Sequence, residues 1–168
     1  RVLGIKVPDM PGWTLNSTVD ELLKKEFDQC RKSQVPHRLM VKSNMENIVP
    51  FDHPDIDKWR DALRGGIKHR YKDTNLIIKG GVDDIWFNKA TEEIIIVDYK
   101  SQASFYRVNT EDYLSNVFHE SYKVQMDIYA YLFERNDFNV AEISYFYVAN
   151  CRKDLDGFNS KLVFDETL

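Results

Sequence analysis

Residues 94–101, Ile94-Ile95-Ile96-Val97-Asp98-Tyr99-Lys100-Ser101, set an acid and a base at the end of an unbroken β-branched run. A run of this kind predicts a buried strand, in which a charge is costly unless it is paired or metal-bound. Asp98 and Lys100 are two apart, so in an extended chain their side chains share a face. Upstream, Gly80-Gly81-Val82-Asp83-Asp84-Ile85-Trp86-Phe87 reads as a second strand, connected to the first through residues 88–93. Pairing the two brings a second carboxylate opposite Asp98, with Lys100 beside it. Only one of Asp83 and Asp84 can face Asp98 in a regular strand, and both remain candidates. Two carboxylates suit Mg²⁺, which prefers oxygen ligands and keeps several of its waters.

Working outward, Leu76-Ile77-Ile78 is another apolar run, and the three together suggest a meander or hairpin leading into a buried strand. Thr18 and Glu21 have capping-box spacing and predict a helix starting at Thr18, with Val19, Leu22, Leu23, Phe27 and Cys30 at helical intervals, ending before Pro36. Residues 1–16, with Pro8, Pro11 and Gly12, read as an irregular lead-in. Between Pro36 and Asn75 the pattern is broken by Pro50, Pro54 and Gly65-Gly66, and only residues 55–63 look helical. A polar stretch covers 101–112. A helix is expected over about 120–135 with Val124, Ile128, Tyr131 and Leu132 on one face, then a strand over 142–149 and a weaker one over 161–164. The order predicts an α/β fold, a single domain over 1–168 whose core, at about 17–165, is a mixed central β-sheet flanked by helices.

Composition narrows the chemistry. With charged residues at 30% and mean hydropathy of -0.49, no apolar run approaches the ~20 residues of a membrane span. Cys30 and Cys151 lie far apart and form no CxxC pair, which excludes a four-thiolate site and makes a reducing, cytoplasmic compartment the default. His37, His53, His69 and His119 show no HExxH spacing, and GxGxxG, GxxxxGK and GxSxG are absent. The net charge of -4 argues against bulk adhesion to nucleic acid but leaves room for a local basic groove. Residues 64–72, with Arg64, Lys68, Arg70, Lys72 and no acid, would form either such a groove or a solvated loop. The chain begins at Arg1 without Met and is expected to be a piece of something longer.

An acid-x-Lys triplet arises by chance about twice in a chain this charged, so its value lies in context. That context is the order Gly80-Gly81-Val82-Asp83, Ile96-Val97-Asp98-Tyr99-Lys100-Ser101 and Tyr122-x-x-Gln125-x-x-x-Tyr129. Together these resemble the GxxD, DxK and QxxxY motifs of the RecB-like branch of the PD-(D/E)XK nuclease superfamily, with its restriction-endonuclease-like core. The resemblance implies a metal-dependent nuclease that hydrolyses DNA phosphodiester bonds with a water activated on Mg²⁺ or Mn²⁺. It assigns Asp83, Asp98 and the Tyr99 backbone carbonyl to the metal, Lys100 to the attacking water, and Gln125 and Tyr129 to a helix that contacts DNA. The strand form of that DNA is open, and a helicase or a repair, recombination or phage complex is the expected setting. Val82 stands where the superfamily name has Pro, and the literal Pro-Asp pairs, Pro8-Asp9 and Pro54-Asp55, lie far upstream of Asp98.

In nucleases of this kind the first helix often lends an acid or His to the site. Counting 100° per residue from Val19, the positions Leu22, Leu23, Phe27 and Cys30 span an arc from about 300° to about 80°, and Glu26 falls near 340° inside it. Glu26 is therefore the expected contributor, the plainer explanation being a side chain that snorkels or meets a Lys. The rival reading of the whole chain is a catalytically inactive nuclease-fold protein serving nucleic-acid or partner binding. A hydrolase of small phosphorylated substrates is disfavoured by the lack of a phosphate-cradling Gly loop.

Overall fold

The β-branched run becomes β5 (Glu93–Ser104), the central strand of a five-stranded sheet; the computed structural model describes residues 14–158 and 160–168. Its neighbours are β4 (Asp84–Asn88), antiparallel, and β6 (Tyr145–Arg152), parallel. β1 (Ile48–Pro50) flanks β4 and β7 (Phe164–Thr167) flanks β6, both antiparallel, so the sheet is mixed. A parallel pair needs a crossover. The chain makes it through α4 (Thr110–Ser115), a 3-10 turn at Val117–His119 and α5 (Glu120–Glu134).

Both faces of the sheet are covered, which is why the β5 run shows no polar alternation. Ile95, Val97 and Tyr99 pack with Trp86 against Leu23 and Phe27 of α1 (Thr14–Ser33) and against α2 (Arg38–Lys42). Ile94 and Ile96 pack on the other side against Met126, Leu132 and Phe133 of α5, with Trp59 from α3 (Ile56–Arg60). Phe27, Trp86 and Phe133 are fully buried, and each such side chain contributes roughly 1.5–3 kcal/mol. No helix among the described residues is long and apolar enough to cross a membrane.

Several expectations are corrected. The first helix is already under way at Thr14, so Thr18 is no N-cap; its hydroxyl donates to the Thr14 carbonyl 2.8 Å away, inside the helix. Residues 14–16 of the expected lead-in are thus helical, and residues 1–13 lie outside the described residues. Leu22 is 57% exposed, because the stripe that meets the sheet runs through Leu23, Phe27 and Arg31. On α5 the buried residues are Met126, Tyr129, Leu132 and Phe133, while Val124 and Ile128 face solvent. The 77–80 run does not join a meander: β3 (Ile77–Gly80) pairs with β2 (Ile67–Arg70) in a separate two-stranded ribbon over α5. The polar stretch after residue 100 extends β5 to Ser104 and then forms α4, whose N-cap Asn109 accepts a hydrogen bond from the Asp112 N–H.

Candidate functional site

Extending the β4/β5 register one step beyond Asp84↔Val97 sets Asp83 opposite Asp98, on the face that also carries Lys100. The Tyr99 N–H donates to Asp83 Oδ2 at 2.9 Å, fixing that carboxylate against the middle of β5. Lys100 Nζ lies 2.5 Å from Asp98 Oδ2 and 4.3 Å from the centroid of the Tyr122 ring. Asp83 Oδ1 is 3.9 Å from Lys24 Nζ, which holds Asp20 Oδ2 at 2.8 Å. Asp20, Asp83, Tyr99, Lys100 and Tyr122 border a cavity of about 330 Å³ between the start of α1 and the start of α5, and Asp98 lies buried beneath Lys100.

The two glycines before Val82 have a steric reason. A Cβ on Gly80 would sit 2.6 Å from the Tyr129 ring, and one on Gly81 the same distance from the Ala62 backbone. Their absence lets the chain slip between α5 and the segment after α3 and deliver Asp83 to the site. Asp84 points the opposite way, as alternation requires. Fully buried, it accepts from Arg31 Nη2 at 2.5 Å, Arg60 Nη2 at 2.8 Å and the Tyr99 hydroxyl at 2.7 Å. Asp28 takes a second nitrogen from each arginine. This buried network anchors α1 and α3 to β4 and leaves Asp83 as the carboxylate facing Asp98.

The electrostatics of the cluster favour a cation. Burial, with the Asp98 carboxylate facing it, pushes the Asp83 carboxyl up to about 7, against the pull of Lys24 and the Tyr99 N–H. Asp98 Oδ2 and Asp20 Oδ1 are buried without a hydrogen-bond partner; Lys100 stands close to Asp98 as a charge but not in hydrogen-bond alignment. Two buried oxygens short of donors, one of them on a carboxylate that repels Asp83, fit a hard divalent cation. No group of three or more His, Cys, Asp or Glu side chains among the described residues could hold an ion, so the fit is to two carboxylates, backbone oxygen and water.

The structure gathers Asp83, Asp98, Tyr99 and Lys100 and places Gln125 and Tyr129 at their border. Gln125 Nε2 donates to the Tyr129 hydroxyl at 2.5 Å. Burial raises the Tyr129 pKa, and the Asp98 and Asp83 charges add to the effect. Glu26 is elsewhere. Its carboxylate lies 2.9 Å from both His37 Nε2 and Arg38 Nε, and Arg38 also grips Glu166, which the Tyr147 hydroxyl meets as well. His37 is stacked on Phe27, and burial lowers its pKa. The acid that α1 brings to the cavity is Asp20, because the buried arc is centred near Phe27 and excludes Leu22. Asp20, Lys24 and Tyr122 were missed in the sequence. The i,i+4 spacing of Asp20 and Lys24 on the Phe27 stripe was the available signal, and Tyr122 stood in the quoted motif without a role.

The raised Asp83 pKa has a consequence for stability. Up to about pH 7 the folded protein holds a proton that an unfolded aspartate releases near 3.8. In chelator, the contribution of Asp83 to stability is therefore greatest below pH 4 and is lost as pH rises to 7. Asp83→Asn is expected to melt progressively higher than the parent over that window, and added Mg²⁺ at pH 7 to raise the Tm of the parent alone. Parallel Tm profiles for the two proteins would refute the coupling.

No curated protein sequence matches the chain. Among solved structures, the crystal structure of MunI restriction endonuclease in complex with cognate DNA is similar at a TM-score of 0.31 and 13% identity, covering 75% of this chain and 71% of that one. The profile of one sequence family matches residues 13–166, nearly the whole chain. The protein belongs to the PD-(D/E)XK nuclease superfamily.

Proposed function

We propose that the protein is a metal-dependent deoxyribonuclease of the RecB-like branch of its superfamily. In this reading Asp83, Asp98 and the Tyr99 carbonyl hold Mg²⁺ or Mn²⁺, and Lys100 serves the water that attacks phosphorus. The observation that carries it is the meeting of Asp83 and Asp98 midway along β5, just where β4 begins, with Lys100 2.5 Å from Asp98. What favours the RecB-like branch is the distribution of the three motifs over the β3–β4 junction, β5 and α5.

A divalent ion bound there would lower the pKa of a water and offset charge on the phosphate. The remaining work falls to side chains. Lys100, held between the Asp98 carboxylate and the Tyr122 ring, keeps an ammonium at the cavity wall, where it orients the water and stabilises the anion that develops as the P–O bond to the leaving group breaks. Asp20, joined to Asp83 through Lys24, takes the part expected of Glu26. Gln125 and Tyr129 form the rim on which the DNA strand is positioned.

The purified protein should cleave DNA with Mg²⁺ or Mn²⁺ and stop on chelation. Asp83→Asn and Asp98→Asn should each abolish cleavage and the calorimetric signal of metal binding, whereas Asp84→Asn should leave metal binding little changed in the folded fraction. DNA binding without cleavage under any divalent metal would replace this reading with that of an inactive nuclease fold.

A further inference from the structure

The ribbon of β2 and β3 is not explained by the site chemistry, and its two faces differ sharply. Ile67, 3% exposed, and Ile78 lie on the inner face, where His69 meets the Tyr131 ring and Gly80 passes under Tyr129 of α5. Asn136 donates to the Lys68 carbonyl and ties the ribbon to the end of α5. On the outer face stand Lys68, Arg70 and Lys79, all exposed. The register pairs Lys68 directly with Lys79.

Like charges facing each other across an antiparallel pair are destabilising. Among the described residues their compensation is slight, the Lys79 ammonium donating to the Leu63 carbonyl at 3.4 Å. None of Arg64, Lys68, Arg70, Lys72 and Lys79 is within ion-pair distance of a carboxylate there, although Asp61 attracts Arg64 and Lys79 at longer range. Asp73, in the turn, is the one acid between residues 64 and 79, in a chain whose net charge is -4. The repulsion is therefore concentrated on one two-stranded ribbon of an otherwise acidic protein. It is a cost to the folded state that a polyanion would remove.

The ribbon also leads straight into the site. Gly80, the last residue of β3, is followed by Gly81, Val82 and Asp83, so Lys79 is four residues from Asp83, at most about 14 Å of chain. We propose that the outer face of this ribbon is a phosphate-backbone clamp, in which Lys68, Arg70 and Lys79 grip nucleic-acid phosphates a few nucleotides from the bond at Asp83. The clamp rests on the nuclease reading for its substrate but not for its binding test.

The test is a salt series of binding to a fluorescent DNA duplex and to the matching single strand, with chelator present so that nothing is cut. Each cationic side chain taken away from a phosphate should flatten the plot of log K against log salt by about one unit. The variant K68Q/R70Q/K79Q is expected to lower the slope by two to three units and to bind roughly ten- to hundred-fold more weakly near 0.15 M salt. K25Q/K32Q/K42Q removes the same charge from α1 and α2 and should leave the slope close to that of the parent. Cleavage of a small phosphodiester such as bis(p-nitrophenyl) phosphate should survive in both. Relieving the Lys68–Lys79 repulsion should hold or raise the Tm; if the triple variant fails to fold, Lys79→Gln alone should cost about one unit of slope.

An unchanged slope in the ribbon variant, or equal losses in the two triple variants, would overturn the clamp. So would a parent protein that binds neither form of DNA. A parent that binds with the expected slope yet never cleaves would leave the clamp standing and overturn the nuclease reading alone. A loss confined to the duplex or to the single strand would identify which of them the ribbon grips.

Discussion

Lys100→Ala is expected to lower metal-dependent DNA cleavage by about two to three orders of magnitude at saturating metal, with the fold intact. Its ammonium sits at the wall of the cavity, 2.5 Å from Asp98 and over the Tyr122 ring, and supports no hydrophobic packing in either core cluster. In the proposed mechanism it supplies a positioned charge for the attacking water and the developing anion, and loss of one such preorganised group typically costs on the order of 10²–10³ in rate. Because the ammonium competes with a bound cation for the charge of Asp98, metal affinity measured by calorimetry should hold or rise. A drop in kcat with unchanged metal binding is the signature of a group acting in the transition state. Lys100→Arg keeps the charge on a longer, planar group and should recover only part of the rate. Equal turnover by Lys100→Ala would remove Lys100 from the mechanism.

Asp84→Ala is expected to have the largest effect on stability, at about 3–5 kcal/mol, the cost of breaking a buried ion pair from one side. Asp84 is fully buried, and its removal leaves Arg31 and Arg60, both close to fully buried, with Asp28 as their shared carboxylate partner and the exposed Asp57 3.9 Å from Arg60 Nη1. It also frees the Tyr99 hydroxyl, whose pKa burial and Asp84 together raise. For a domain of this size the loss corresponds to a fall in Tm of roughly 6–20 °C, readable by circular dichroism. Asp84→Asn, which keeps the shape, should still lose the charge that holds both guanidiniums. A Tm within a degree or two of the parent would mean that the arginines find water when Asp84 is gone, and that the network is not what fixes β4 against α1.

These two residues show how much of the molecule could be read locally. β4, β5 and α5 were legible because their apolar runs and helical spacing are properties of neighbouring residues, and the motifs they carry stood in the expected order. Asp98 and Lys100 share a face by the two-residue repeat of a strand, whatever the rest of the chain does. The choice between Asp83 and Asp84 was not local. It depends on the register against β5 and on Arg31 and Arg60, which arrive from distant helices to claim Asp84.

The same limit explains the misreadings. Periodicity gives the width of an apolar stripe on a helix but not which edge of it meets the sheet. On α1 that phase exposes Leu22, sends Glu26 to His37 and Arg38, and turns Asp20 and Lys24 toward the site. On α5 it exposes Val124 and Ile128 and buries Tyr129 against Gly80. The apolar run at residues 77–78 likewise marked a strand but not its partner, and pairing with β2 set the basic ribbon apart from the main sheet. The sequence by itself determined the strongly patterned elements, such as β4, β5 and α5, and which residues are spaced for chemistry, because those follow from local geometry. Only tertiary structure decided which side chains meet, because register and helix phase are settled by burial against elements remote in the chain.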